Sequence, residues 1–152
     1  MEHIIACDVD TSRRQLASSF GATVACGPDE VASAAKEYGA DVIFELSGNS
    51  TTVQGAFDIV DVGGRIALVG SVSPGPQISF EPSGYVKNLT TVVGSHNYRL
   101  ADLAEAVDFL ARTNSQKLFA DLVPKPYRLH DIDAAVAAAR SGTAPRIAVN
   151  MH

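Results

Sequence analysis

Asp8 closes the apolar run His3-Ile4-Ile5-Ala6-Cys7 and is the first residue whose type and place suggest chemistry. At the carboxyl end of a strand in an open α/β sheet, where ligands bind, a carboxylate accepts hydrogen bonds from the two hydroxyls of an adenosine ribose. The same charge repels a 2′-phosphate, which favours NAD over NADP. The plainer reading is an Asp that merely starts the next helix. A dinucleotide fold also calls for a G-x-G-x-x-G turn about 20 residues ahead of such an acid. No such turn occurs in the sequence. The phosphate-cradling turn, its helix and the strand feeding it are therefore expected to be missing.

Other chemistries find less support. The two cysteines, Cys7 and Cys26, form no metal cage or disulfide framework, and no C-x-x-C or H-E-x-x-H spacing exists. Cys7 sits inside an apolar run and is expected to point into the core as a small hydrophobe. No zinc is expected in this chain. Ser71 and Ser73 follow an apolar strand as a nucleophile would, yet Gly70-Ser71-Val72-Ser73-Pro74-Gly75 misses the G-x-S-x-G elbow by one residue. Pro74 would also obstruct entry into a helix. Of the four histidines, only His96 stands in a suggestive place; His3, His130 and His152 read as surface or terminal.

The composition narrows the class. In 152 residues, 12 Lys and Arg stand against 17 Asp and Glu, a net charge of −5 that disfavours a general grip on nucleic acid or anionic lipid. No apolar run approaches the roughly 20 residues that span a bilayer, and the first residues lack the pattern of a secretory signal. A soluble, cytoplasmic, single-domain protein over residues 1–152 is the expectation, with no nucleic-acid and no membrane partner.

Gly and Pro punctuate the sequence at short intervals between apolar segments. Strands are expected at 3–8, 23–26, 41–46, 65–69, 89–94 and 146–150, with shorter extended pieces at 77–80, 118–123 and Tyr127. Helices are expected at 11–20, capped by Thr11 or Ser12, and at 29–38, 50–60, 100–112 and 132–140. Leu103, Ala106, Val107 and Leu110 form one apolar stripe on the fourth of these helices. Strand and helix alternate with connections of a few residues, which requires crossovers packed back on a parallel sheet. The fold class is α/β: a doubly wound, mostly parallel sheet, an incomplete Rossmann fold.

HIIACDVDTSRRQLASSFGAT resembles the second strand and following helix of the cofactor domain in medium-chain, zinc-type alcohol dehydrogenases. ADVIFELSGN, GGRIALVG, VVGSHNYR and RSGTAPRIAVN resemble later segments of that domain, in order, from His3 to Asn150. The resemblance implies that Asp8 holds the adenosine ribose with Arg13 beside it, and that Leu46, Ser47 and Gly48 line the adenine side. Val69 and Gly70 would face the nicotinamide, and Ser95, His96 and Asn97 would meet its carboxamide. Arg146 would pair with the pyrophosphate, a contact suited to its fork geometry. Zinc and the catalytic residues would belong to a domain absent here. Plainer alternatives stand beside these: Arg13 and Arg14 as a solvated helix face, Gly48, Gly64 and Gly70 as turn glycines, His96 as structural, and Arg146 as a partner of Asp133.

In the 3-2-1-4-5-6 strand order of that fold, the first strand lies between the second and fourth. Its absence would leave the strands at 3–8 and 41–46 with unpaired backbone groups, each costing about 1–3 kcal/mol if buried. The expected outcomes are direct pairing of those two strands, a strand supplied by another chain, or poor stability. In the resembling family the 77–94 region joins two cofactor domains edge to edge, so a homodimer is expected there. Two functions remain open: the NAD-binding portion of a zinc-dependent alcohol dehydrogenase-like oxidoreductase, inactive alone and with weak or no NAD binding, or a non-catalytic nucleotide-binding or dimerisation module.

Overall fold

A computed structural model describes residues 2–142 and 144–151, so His152 lies outside the described residues. The chain forms two compact units, residues 1–98 and residues 99–152.

In the first unit five short strands alternate with four helices. Strands β1 (Ile5–Cys7) and β2 (Val24–Cys26) flank α1 (Thr11–Ser19) and pair in parallel, Ile5 opposite Val24 and Cys7 opposite Cys26. After α2 (Val31–Tyr38), strand β3 (Val42–Glu45) leads through α3 (Ser50–Ile59) to β4 (Arg65–Leu68). A helix α4 (Pro82–Asn88) then precedes β5 (Thr91–Gly94). These last three strands form a second parallel sheet in the order β3-β4-β5. The alternating parallel α/β architecture expected from the sequence is present.

The core of this unit gathers around β4, the central strand of the triplet. Ile66 is fully buried, and Ala67, Val53 and Ala56 of α3, and Ala34 and Ala35 of α2 are buried with it. The adjacent Ile66 and Ala67 point to opposite faces and both are buried, so this strand between two neighbours is covered on both faces, as parallel sheets require. Helix starts are fixed locally. Asp10, and not Thr11 or Ser12, caps α1, its Oδ1 accepting from the amides of Ser12 at 2.7 Å and Arg13 at 3.3 Å. Asn49 does the same for α3 through the Thr51 amide at 2.9 Å.

Several expectations are corrected. The predicted strand at 77–80 does not form; instead Glu81 accepts from the amides of Ser83 and Gly84, and Pro82 opens helix α4. Proline at the first helical position loses no hydrogen bond, and its fixed φ suits a helix. Cys7 is exposed and Cys26 is buried, so only the second behaves as a core residue. Strands β1 and β3 lie in different sheets, so of the three outcomes considered for these strands direct pairing is not the one found. The face of β3 bearing Val42 and Phe44 stays open, Phe44 being 61% exposed.

The second unit begins with α5 (Leu100–Arg112), started by the Arg99 amide donating to Asp102 Oδ2 at 2.7 Å. Its apolar stripe remains at the surface, with Leu103, Val107 and Leu110 all exposed. Residues 118–123, expected to be extended, belong to α6 (Gln116–Asp121) and the turn after it. A Lys117–Asp121 ion pair four residues apart and an edge-on Phe109–Phe119 contact favour the helix. Strand β6 (Tyr127–Arg128), helix α7 (Ile132–Ser141) and strand β7 (Val149–Asn150) complete the unit, with β6 and β7 parallel. The last strand is shorter than the expected 146–150 because β6 offers only two residues to pair with.

Candidate functional site

The residues singled out in the first unit lie at the carboxyl ends of its strands, where short strands hand over to helix-starting loops. Asp8 follows β1. Its amide donates to the Cys26 carbonyl at 3.3 Å, and its Oδ1 accepts from the Asp10 amide at 2.9 Å. The other carboxylate oxygen lies 3.8 Å from Arg13 Nη1, and the Asp8 side chain is one-third exposed. Arg14 donates to the carbonyls of Asp8 at 2.8 Å and Val9 at 3.0 Å, so it shapes the turn that presents the carboxylate. Asp10, which ends that turn, has its carboxyl held below the usual range by the Ser12 hydroxyl and the Arg13 amide.

The ends of β3 and β4 form a tighter arrangement. Glu45, the last residue of β3, is 2% exposed. Its carboxylate accepts from the Ser47 amide at 2.9 Å, the Ser47 hydroxyl and the Gly48 amide at 3.1 Å. Its carbonyl accepts from both the Val69 and Gly70 amides at 2.9 Å. One residue therefore ties the Leu46–Gly48 loop to the Val69–Gly70 loop. Gly48 has φ +68°, in the left-handed region. A Cβ on Gly70 would lie 2.4 Å from the Leu46 carbonyl carbon, so the backbones touch with no room for a side chain.

Ser95 continues the row after β5, its amide donating to the Leu68 carbonyl at 2.9 Å. His96 and Asn97 follow, exposed, with Asn97 at φ +56°. The structure thus joins Asp8 with Arg13, and Leu46, Ser47 and Gly48 with Val69 and Gly70. Arg146 belongs to the second unit, where its Nη1 donates to the neighbouring Pro145 carbonyl at 2.8 Å. Glu45 and Asp10 were not singled out from the sequence, and Arg14, read there only as part of a solvated helix face, instead binds the Asp8 and Val9 carbonyls. A carboxylate ending a strand two residues before Ser47-Gly48 was the available signal for Glu45.

The Gly48–Gly70 contact is filled by backbone on both sides, and the group open to a ligand in this row is the part-exposed Asp8 carboxylate at the end of β1. Zinc does not fit: among the described residues no group of three or more His, Cys, Asp or Glu side chains is placed to hold a metal ion. Among the same residues no helix is long and apolar enough to cross a membrane.

Comparison with known proteins agrees with this architecture. Residues 1–112 match the family described as zinc-binding dehydrogenase. The chain is 31% identical to L-threonine 3-dehydrogenase of Symbiobacterium thermophilum, over 96% of its own length and 43% of that protein's. It is 32% identical to sorbitol dehydrogenase of Halalkalibacterium halodurans, over 72% of its own length and 31% of that protein's. The chain thus spans less than half the length of these curated relatives. An alcohol dehydrogenase from Thermotoga maritima shares the fold at a TM-score of 0.89 and 20% identity, covering 97% of this chain and 43% of that one. An alcohol dehydrogenase from E. coli CFT073, solved in complex with NADH, does so at 0.75 and 17%, covering 97% and 44%. With its alternating strands and helices and a family match over most of its length, the chain belongs to the zinc-binding dehydrogenase family.

Proposed function

We propose that the chain is the NAD-holding part of an alcohol or polyol dehydrogenase that works in the cytoplasm. The observation that supports this most directly is the Asp8 carboxylate, part-exposed at the end of β1 with Arg13 at 3.8 Å. In this reading Asp8 accepts hydrogen bonds from the ribose hydroxyls, and its charge disfavours a 2′-phosphate. Leu46, Ser47 and Gly48 line the adenine side, and Val69 and Gly70 face the nicotinamide. Ser95, His96 and Asn97 meet the carboxamide.

Bound NAD supplies the ring that takes or gives hydride; the residues here hold and orient it. A small hydroxylated molecule is the substrate class in this reading, supported by relatives named for threonine and sorbitol. No metal-assisted step is assigned to these residues. A homodimer through residues 77–94 belongs to the same reading, supported by exposed Phe80, Val86, Val92 and Val93 in that region.

Calorimetric titration with NADH tests the proposal. The expected result is submillimolar binding that Asp8→Ala abolishes without changing the thermal unfolding midpoint. No heat up to millimolar NADH overturns it.

A further inference from the structure

Cys7 and Cys26 are the last residues of β1 and β2, and they are direct partners in the parallel register. Register partners in neighbouring strands project to the same face, about 4.8 Å apart at the backbone. That spacing lies inside the Cα range of about 4.4–6.8 Å that a disulfide spans. Each thiol also influences the other's titration, as neighbouring side chains on one face do. Cys7 is exposed and Cys26, beside it on the next strand, is buried, both as free thiols. An accessible sulfur with a second one beside it is the arrangement of an attacking thiol and a resolving thiol.

We propose that Cys7 and Cys26 form a reversible intramolecular disulfide by exchange with a low-molecular-weight disulfide, and that this bridge displaces Asp8. The Cys7 thiolate attacks the sulfur–sulfur bond of the reagent, forming a mixed disulfide and releasing one small thiolate. The Cys26 thiolate then attacks the Cys7 sulfur, forming the protein disulfide and releasing the second small thiolate. The two protons lost by the protein thiols end on the released thiolates, and two electrons pass to the reagent.

The displacement follows from the backbone. Disulfides prefer Cα separations of about 5.5–6 Å, wider than the strand spacing, so bridging pushes the ends of β1 and β2 apart. The last bond across those ends, from the Asp8 amide to the Cys26 carbonyl, is already 3.3 Å long. It is the first to break. Asp8 is bonded to Cys7 along the chain and so moves with it.

The charged groups near the pair are Asp8, Arg14 of α1 and Glu30 ahead of α2. Burial pushes both thiols above their ordinary value; Cys26 and the Asp8 charge push Cys7 further up and the Glu30 charge pushes Cys26 up, while Cys7 acts to lower Cys26 and Arg14 opposes both shifts. The pair therefore rests as a dithiol near neutral pH, and bridging quickens as pH rises.

The effect on NADH affinity rests on the nucleotide reading; the bridge itself does not. The whole chain is incubated with glutathione disulfide, quenched with iodoacetamide and mapped by peptide mass spectrometry. The expected product is a Cys7–Cys26 cross-link that dithiothreitol reverses. Cys26→Ser should stall at a glutathione adduct on Cys7, and Cys7→Ser should gain no adduct. Hydrogen exchange at the Asp8 amide should speed up on oxidation, and NADH affinity should fall several-fold. Two alkylated cysteines after oxidation, a stable adduct on Cys7 of the unsubstituted chain, or a dimer linked through Cys7 would overturn the proposal. A cross-link with accelerated Asp8 exchange in a chain that binds no NADH in either state supports the bridge and removes the nucleotide reading.

Discussion

Gly48 and Gly70 meet backbone to backbone: a Cβ on Gly48 would sit 2.4 Å from the Gly70 carbonyl oxygen, and one on Gly70 would sit 2.4 Å from the Gly48 nitrogen. Neither neighbour is a flexible side chain that swings away. Gly48→Ala and Gly70→Ala should each destabilise the protein by about 1–3 kcal/mol, the usual range for overpacking. Gly48→Ala should lose a further ~1 kcal/mol or more for its left-handed φ. Gly55, inside α3, has open space where its Cβ would be, so Gly55→Ala should stabilise by about 0.5–1 kcal/mol. Urea midpoints for the three variants decide the matter; equal shifts of one sign would refute it.

Glu45 makes that contact possible by holding the Leu46–Gly48 loop from below. Glu45→Ala leaves the Ser47 and Gly48 amides without their acceptor inside the protein, a loss of about 1–3 kcal/mol. Glu45→Gln keeps one carbonyl oxygen and should lose less. Chemical denaturation of both variants gives the order, and an equal loss would assign the effect to charge instead of hydrogen bonding.

Helix starts give the stability a dependence on acid. The Ser12 hydroxyl holds the Asp10 carboxyl below its ordinary value, the Ser83 hydroxyl does so for Glu81, and the Arg99 guanidinium does so for Asp102. A carboxyl lowered on folding stabilises the folded state above its unfolded value, and that stabilisation fades as pH falls through the folded value. The amide resonances of Ser12 and Arg13 should therefore shift on acidification below the usual carboxylate range. Asp10→Asn should abolish that shift, and an unchanged titration in the variant would exclude Asp10 as its source.

The first unit was largely legible because its elements follow simple local rules. Leu16 and Phe20, Val31 with Ala34 and Ala35, and the unbroken run Ile66-Ala67-Leu68 each announce one periodicity. Asp8 and Arg13 were legible because both follow directly from one strand end and one helix turn. The misses share a cause: there the outcome depends on side chains that pattern does not weigh. Pro82 reads as a breaker until Glu81 is seen capping the turn it opens. Leu118 and Phe119 read as strand until Lys117 and Asp121 are seen paired. Cys7 reads as buried because its neighbours are apolar, although it lies at the end of a sheet edge.

Alternation along β1 and β3 yields a residue-level pattern for exchange. The Ile4 carbonyl and Asp8 amide bond toward β2, so Ala6 shares that side and the amides of Ile5 and Cys7 face away. The Asp41 and Glu45 carbonyls bond toward β4, so the amides of Val42 and Phe44 face away in the same manner. Ala6, Ile43 and Glu45 should be protected, while Ile5, Cys7, Val42 and Phe44 exchange quickly. Slow exchange at all of the latter four would show that a further strand occupies the space beside them.

Association through residues 77–94 should appear in sedimentation velocity at micromolar concentration as a species of twice the monomer mass. Val92→Lys, on the outermost strand of the triplet, should return it to monomer. A monomer at all concentrations would remove the dimer from the reading.

The split of the first unit's strands into a pair and a triplet governs how it bears force. Within the triplet, pulling one strand past another must rupture several backbone bonds at once. Between the pair and the triplet the load passes through α2, which packs on β1, β2 and α3 by side-chain contact. Apolar contacts slide one after another under shear instead of failing together, so tension entering at residues 5–26 peels that layer away while β3, β4 and β5 hold.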